Sequence, residues 1–192
     1  MNRFINTLIA IDTTLATHGI PYVIIGGLAV QRWGEARFTR DIDITLMVQP
    51  GEEEAVIDLL QTSFNPRMAD FRNFAIQNRV MPVSSHDGTD IDISFGLPGY
   101  EEFVLQRAVM IQIAENRYPV CSAEDLIIHK LVAGRPIDKS DIVSIILRND
   151  SHLDMDYLRE WLDCFSQLLE GDDLFSEFQI LRSQATSSSC SI

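Results

Sequence analysis

Residues 23–29 read Val-Ile-Ile-Gly-Gly-Leu-Ala, and residues 37–44 read Arg-Phe-Thr-Arg-Asp-Ile-Asp-Ile. The apolar run in the first stretch predicts a buried strand that breaks at its two glycines and turns into a helix. The second stretch predicts another strand, in which Asp41 and Asp43 stand two positions apart. Residues i and i+2 of a strand point to the same face, so both carboxylates converge on one point. These two stretches decide where the fold places its polar groups.

The pairing of two carboxylates with a glycine turn has a chemical meaning. Carboxylates on an otherwise apolar strand are costly unless a positive charge lies between them, and a divalent metal is the usual answer. The backbone N–H groups at a helix start after Gly26 and Gly27 suit a phosphate. Phosphate binding beside metal-binding carboxylates indicates phosphoryl or nucleotidyl transfer. A glycine pair at a helix start is, by itself, often plain chain geometry, and that alternative stays open.

A second strand with alternating carboxylates is predicted at residues 89–95, after a hairpin turn signal at residues 86–88. Its acidic residues are Asp90 and Asp92, which share a face. Three convergent carboxylates bind two Mg²⁺ ions, which activate an attacking oxygen and neutralise a leaving pyrophosphate. The alternative without a catalytic role is that Asp90 and Asp92 belong to a polar edge strand. The sequence leaves open whether Asp90 or Asp92 supplies the third carboxylate.

Polar residues just before the first acidic strand are candidate nucleotide contacts. Arg37, Thr39 and Arg40 precede Asp41. Any of them can reach a nucleoside triphosphate through charge-assisted hydrogen bonds, whereas Thr39 can instead cap the local turn.

A lysine in an apolar helix is a further candidate. Lys130 is one of two lysines in the chain, and its neighbours in the sequence are mainly apolar. Its ammonium either extends to the surface or points into a cleft. Asp138 and Asp141 are three residues apart and share one helical face, although acidic residues also favour helix N-termini for purely electrostatic reasons.

The predicted elements give an α+β or mixed α/β fold, a small mixed sheet flanked by helices with a helical C-terminal region. Residues 71–83 show weak alternation and are predicted as strand segments. We expect residues 1–149 to form one domain, residues 150–184 a helical extension packed on it, and residues 185–192 a flexible tail. The remaining predicted elements are helices at 4–17, 28–33, 52–60, 100–107, from 122 to near 134, 136–147, 154–169 and 172–182, and strands at 22–25, 39–48, 108–113 and 118–120.

Composition limits the function classes. The net charge is −13, and residues 150–192 carry nine acidic residues against two arginines. Generic nucleic-acid binding relies on widely spread basic residues and is not expected. An RNA acceptor would therefore meet the arginines of the central region. The N-terminal segment is too polar for a signal peptide or membrane span, and three widely spaced cysteines fit a reducing cytoplasm.

Four motifs in chain order, over roughly residues 20–147, resemble the minimal nucleotidyltransferase superfamily, and most closely the bacterial AbiEii-type and related uncharacterised proteins. The ordered series is far more specific than any one motif. The motifs are Gly26-Gly27-Leu28-Ala29, Arg37-x-Thr39-x-Asp41-Ile42-Asp43-Ile44, Asp90-Ile91-Asp92-Ile93, and Glu124-Asp125-x4-Lys130-x2-Ala133-Gly134-Arg135-x2-Asp138-x2-Asp141-Ile142.

The resemblance implies a polymerase-beta-like nucleotidyltransferase fold. It implies Mg²⁺-dependent transfer of a nucleoside monophosphate from a nucleoside triphosphate to a hydroxyl of an RNA, a protein or a small molecule. Proteins of this kind are often the toxin of a toxin–antitoxin pair, so the resemblance also implies a toxin role, with an antitoxin protein as partner. The alternative is a non-catalytic nucleotide-binding or protein-interaction module of the same fold.

Carried over by position, the resemblance also assigns roles. Asp41, Asp43 and Asp92 become metal ligands, with Asp90 as the alternative third carboxylate. Lys130 binds the triphosphate, and Asp138 or Asp141 orients it. In many nucleotidyltransferases a serine follows the first glycine of the first motif, and its hydroxyl assists phosphate binding. Here Gly27 replaces that serine.

Overall fold

The computed structural model describes residues 3–169, 171 and 173–189 of the chain. Their contacts divide the protein into two compact units. The first contains residues 1–28 and 38–121, and the second contains residues 29–37 and 122–192, as far as they are described. The predicted boundary between a domain at residues 1–149 and a helical extension at residues 150–184 does not coincide with this division by contacts. That boundary remains a prediction.

The first unit contains the sheet and four helices, and the helix after the first strand begins in it. Its elements are α1 (Arg3–Thr17), β1 (Tyr22–Ile24), α2 (Gly26–Trp33, continuing into the second unit), β2 (Asp41–Met47), α3 (Glu53–Leu60), β3 (Asn65–Pro66), α4 (Phe71–Asn78), β4 (Val80–Ser84), β5 (Asp90–Gly96), α5 (Tyr100–Gln106), β6 (Val109–Ile113) and β7 (Asn116–Val120).

Within the described chain, seven strands form one mixed sheet in the order β3-β4-β5-β2-β1-β7-β6. Strand β2 runs parallel to β5, and β1 runs parallel to β7, whereas the other neighbouring pairs are antiparallel. The central strands β2 and β5 alternate between fully buried isoleucines and acidic residues, which are partly exposed at Asp41, Asp43 and Asp92 and exposed at Asp90. Burial of the isoleucine face fixes the register, because a slip by one residue would turn that face outward.

The second unit is helical. Its elements are α6 (Ala123–Ala133), α7 (Pro136–Asn149), a short 3₁₀ helix (Asp150–His152), α8 (Met155–Leu168) and α9 (Leu174–Ser189). Helix α6 packs against α7, α8 and α9. Its N-cap is Ser122, whose hydroxyl oxygen accepts a hydrogen bond from the backbone N–H of Asp125, and its C-cap is Gly134 in the left-handed conformation.

The mixed α/β architecture is confirmed, and so are most predicted elements. The turn at residues 86–88 joins β4 to β5 as an antiparallel hairpin, and Gly88 takes a φ of +77° in it.

Three local predictions are wrong. Residues 71–78 form helix α4 instead of a strand, and only Val80–Ser84 of that region is extended. The helix is short, buries Ala75 and ends at Arg79 in the left-handed conformation. Helix α2 begins at Gly26, two residues before the predicted start.

The third correction concerns the C-terminal segment. Helix α9 continues to Ser189, so residues 185–189 of the predicted tail are helical. Residues 190–192 lie outside the described residues. No helix among the described residues is both long and apolar enough to cross a membrane.

Candidate metal centre

Three carboxylates converge beside the middle of the sheet. Asp41 and Asp43 belong to β2, and Asp92 belongs to β5, opposite Asp43 in the parallel register. One oxygen from each lies within 4.8 Å of the other two. Oxygens bound to one Mg²⁺ at about 2.1 Å lie roughly 3–4 Å apart, so small side-chain adjustments bring the group to a metal-binding geometry. The donor set, three partly exposed carboxylates, fits a hard divalent cation.

The structure distinguishes between the two candidates for the third carboxylate. Asp90 stands opposite Asp41 in the register and shares the face of Asp92. Among the described residues, however, the convergent group contains Asp92 and not Asp90. The Asp90 side chain is 51% exposed and pairs with Arg67, whose Nη1 lies 3.2 Å from Asp90 Oδ2.

Arg67 is a residue of the centre that the sequence did not single out. It follows the two-residue edge strand β3, and its backbone N–H donates to the carbonyl of Pro82 at 3.1 Å. Its guanidinium forms ion pairs with both Asp90 and Asp92. No sequence signal separates this arginine from the others nearby, because its role depends on the pairing of β3 with β4.

The electrostatic environment of Asp92 disfavours its charged form. Burial raises the pKa of the Asp92 carboxyl; the Arg67 guanidinium opposes this rise, and the carboxylates of Asp41 and Asp90 add to it. The pKa lies above its ordinary value as a result. A carboxylate crowded by others in this way gains from a bound cation.

The two glycines lie against Asp43. Gly26 has a φ of +60°, and a Cβ placed on it would lie 2.0 Å from Asp43 Oδ2. The backbone N–H of Gly27 points to the same oxygen at 3.4 Å. Glycine at position 26 is therefore required by both the backbone conformation and the close approach of a candidate ligand. Plain chain geometry does not account for the second requirement.

Thr39 also contacts the centre. Its hydroxyl donates to Asp41 Oδ1 at 2.8 Å and lies 3.2 Å from the backbone carbonyl of the same residue. The Thr39 Oγ1 atom lies 2.5 Å from the position that a Cβ on Gly27 would take. Position 27 thus has no room for the serine that many nucleotidyltransferases carry there. The next residue, Arg40, is exposed.

The other predicted residues form a separate cluster of charges within the second unit. Lys130 Nζ donates to Asp138 Oδ1 at 2.9 Å and to Asp141 Oδ2 at 2.7 Å, and all three side chains are buried. Arg37 binds Asp141 through two nitrogens, each at 3.0 Å. Arg135 binds Asp138 through its Nε at 2.8 Å. The cluster therefore has three cations and two anions, with one net positive charge.

The charged state of this cluster is stabilised locally. Burial tends to raise the pKa of Asp138, but hydrogen bonds from Arg135 and Lys130 outweigh it and hold the pKa below its ordinary value. Asp138 also accepts a hydrogen bond from the backbone N–H of Arg135 at the start of α7. The helix-N-terminal role that the sequence left open for Asp138 is thus present, together with the contact to Lys130.

The comparison with solved structures supports the fold. An antigenic nucleotidyltransferase-like protein from Paracoccidioides brasiliensis has 19% identity and a TM-score of 0.51, with 90% of this chain and 91% of that chain covered. At this identity the likeness shows the fold alone, and it agrees with the expected nucleotidyltransferase fold.

Two further structures are similar. ANT(2'')-Ia in complex with adenylyl-2''-tobramycin has 16% identity and a TM-score of 0.49, covering 98% of this chain and 99% of that one. The lincosamide antibiotic adenylyltransferase LnuA, bound to lincomycin, has 15% identity and a TM-score of 0.47, covering 72% and 93%.

No curated protein matches the chain. A family model does match, over residues 3–183, and its description is "Nucleotidyltransferase of unknown function (DUF6036)". The resemblance to the nucleotidyltransferase superfamily is thereby confirmed. Because the match spans nearly the whole chain, the protein belongs to the DUF6036 family of nucleotidyltransferases of unknown function.

Proposed function

We propose that the protein is a Mg²⁺-dependent nucleotidyltransferase that moves a nucleoside monophosphate from a nucleoside triphosphate to a hydroxyl acceptor. The observation that carries this proposal is the convergence of Asp41, Asp43 and Asp92 within 4.8 Å. Family membership supports the class of reaction, and the carboxylates supply the donor set that such a reaction requires of the protein.

Asp41, Asp43 and Asp92 would hold the metal, two ions when the nucleotide is bound. Bound Mg²⁺ would supply charge neutralisation for the triphosphate and the departing pyrophosphate. The chain's own residues then have distinct tasks. Thr39 holds one oxygen of Asp41 through its hydroxyl, which leaves the other oxygen for a cation.

The start of α2 contributes to the same site. The N–H of Gly27 faces Asp43 Oδ2, and N–H groups at a helix start favour a phosphate. We therefore assign Gly26 and Gly27 to phosphate binding. Arg40, which is exposed and directly precedes Asp41, is assigned as a further contact to the nucleotide. Position 27 has no side chain, and the Thr39 hydroxyl lies beside this turn, 2.5 Å from the place that a Cβ on Gly27 would take.

The cluster that contains Lys130, Arg37 and Asp138 remains a proposed nucleotide-binding group. Support comes from the net positive charge of the cluster, which favours an anion such as a triphosphate. Arg37 and Arg135 are its more exposed members, with 35% and 66% of their side chains accessible, whereas Lys130 is almost fully buried. Within the cluster we therefore give the direct phosphate contact to the arginines and the positioning of Asp138 and Asp141 to Lys130.

The proposal also covers the acceptor, the partner and the compartment. An RNA, a protein side chain and a small hydroxylated molecule all remain in the proposal. A toxin role with an antitoxin partner rests on the family resemblance alone. A cytoplasmic location is supported by Cys121 and Cys164, which are thiols in this structure.

The test is Mg²⁺-dependent transfer from α-labelled ATP, GTP, CTP and UTP into total RNA, protein and small-molecule extracts. We expect label with the natural protein and at least about 100-fold less with Asp43→Asn, because a metal ligand is lost. Asp163→Asn, an exposed change on α8, is the matched control and keeps full activity. Nucleotide binding without any transfer would instead establish the non-catalytic module, and absence of both would refute the proposed site.

A further inference from the structure

Arg67 binds the third carboxylate of the candidate centre through one arm of its guanidinium. Nη2 contacts Asp92, and Nη1 contacts Asp90 at 3.2 Å. Different nitrogens serve the two carboxylates, so the bond to Asp92 can break while the bond to Asp90 remains. The side chain is 29% exposed and the backbone is tied to Pro82, so the guanidinium has both an anchor and room to turn.

A cation that binds an Asp92 oxygen must compete with this arginine. Asp41, Asp43, Asp90 and Asp92 place four carboxylates along the paired strands β2 and β5. Arg67 neutralises part of this charge from the β5 side. The convergent oxygens and the guanidinium thus share one carboxylate, Asp92.

We propose that Arg67 is a built-in counter-ion that competes with the divalent metal for Asp92, and so sets the affinity of the metal centre. When metal takes Asp92, Arg67 stays on Asp90. This inference rests on the proposed function, because it assumes that Asp92 binds metal there. It also gives the alternation Asp90-Ile91-Asp92 a division of labour, in which Asp92 is the ligand and Asp90 retains the arginine.

The test measures metal binding instead of catalysis. Mn²⁺ and Mg²⁺ are titrated separately into the full chain by calorimetry, without nucleotide, for the natural protein and for Arg67→Gln. Partly exposed ion pairs are worth up to about 1 kcal/mol, so we expect Arg67→Gln to bind Mn²⁺ about two- to fivefold more tightly. If Arg67 instead held Asp92 in place for the metal, its loss would weaken binding.

Arg72→Gln is the matched control. It removes the same charge from a nearby arginine that pairs with Glu54 and Asp58, outside the convergent carboxylates. We expect its Mn²⁺ affinity to remain within about twofold of the natural protein, since surface charges are screened by salt. Equal tightening in Arg67→Gln and Arg72→Gln would reduce the effect to general electrostatics and overturn the proposal.

One more variant tests the division of labour. Asp90→Asn leaves Arg67 with Asp92 as its carboxylate partner, and we expect weaker metal binding. That weakening should be smaller when Arg67 is also replaced by Gln. Equal weakening in both backgrounds would overturn the retaining role of Asp90.

The outcomes also separate this inference from the proposed function. If the natural protein binds Mn²⁺ and Asp43→Asn does not, the centre exists; unchanged or weaker binding by Arg67→Gln then refutes the counter-ion role alone. Failure of the natural protein and of Arg67→Gln to bind Mn²⁺ would refute both. Binding by Arg67→Gln but not by the natural protein would support the competition in its strongest form. Circular dichroism at the titration temperature verifies that each variant is folded.

Discussion

Replacing Gly26 with alanine should weaken metal binding by moving one carboxylate. The added Cβ would lie 2.0 Å from Asp43 Oδ2 and 2.5 Å from Asp43 Cγ. Ordinary contact begins near 3.4 Å, so the carboxylate oxygen must move by about 1.4 Å. Metal–ligand distances tolerate only about 0.2 Å. We therefore expect Gly26→Ala to weaken Mn²⁺ binding at least about tenfold.

The same change carries a separate backbone cost that has its own control. A non-glycine residue in the left-handed region costs roughly 1–2 kcal/mol, or about 2–8 °C in Tm for a domain of this size. Gly19 has a φ of +64°, close to the +60° of Gly26, and its Cβ would meet no atom within 4 Å. Gly19→Ala thus has the backbone cost without the collision, and its Mn²⁺ affinity should not change.

Calorimetric Mn²⁺ titration and urea denaturation of both variants separate the two effects. We expect a similar free-energy loss from the backbone in each, and a loss of metal affinity in Gly26→Ala alone. Equal Mn²⁺ affinity of Gly26→Ala and Gly19→Ala would mean that Asp43 is not a ligand, or that its carboxylate can move without loss of metal binding. This result would refute the argument from the close approach of Gly26 to Asp43.

Three further changes test the rest of the site. Lys130→Met removes the ammonium that Asp138 and Asp141 share, while Arg135 and Arg37 still bind these carboxylates, and should lower the free energy of unfolding by about 1–3 kcal/mol in urea denaturation; an unchanged free energy of unfolding would contradict the buried pairing. The pKa of Asp138 is held below its ordinary value, so the ionised carboxylate stabilises the folded protein above about pH 4, and this contribution is lost as the pH falls through the pKa of the folded state. Asp138→Asn should therefore reduce the loss of unfolding free energy at acidic pH. The same loss in Asp138→Asn as in the natural protein would refute this. The methyl group of Gly27→Ala should collide with Thr39, which should lower the free energy of unfolding by about 1–3 kcal/mol and the Tm by several degrees. Thr39→Ala should partly restore the stability of Gly27→Ala in a double-mutant cycle. Strictly additive effects of the two changes would refute the collision.

The acidic strands were predictable because their signal is local. A strand alternates faces every second residue, so Asp41 and Asp43 had to share a face once the strand was recognised. Ile42 and Ile44, both fully buried, mark the opposite face in the sequence itself. The hairpin before β5 is equally local, because its turn residues lie within three positions.

The partners of the charged residues were not predictable, because they are distant in sequence. Arg37 meets Asp141 across 104 positions, and Arg67 meets Asp92 across 25. Neither pair has a periodicity that marks it. Lys130 was recognised as unusual, but its aspartate partners depend on how α6 packs against α7, and packing of helices is not written in the pattern of either helix alone.

Helix α4 shows a different limit. Residues 71–78 carry weak alternation and weak helical periodicity, and a segment this short has little propensity of its own. Its contacts decide the outcome, since α4 packs against α3 and β4. The prediction of a strand failed because tertiary packing outweighs local preference in a segment of eight residues.

The position of the candidate centre follows from sheet register. Strands β2 and β5 are parallel neighbours, and Asp43 stands opposite Asp92 because Ile44 stands opposite Ile93 in the core. A slip of one residue would expose the isoleucines and separate the carboxylates at the same time. The apolar packing of these strands therefore holds two candidate metal ligands together, although the carboxylates repel each other. Stability of the sheet and geometry of the centre are thus one property of the same two strands.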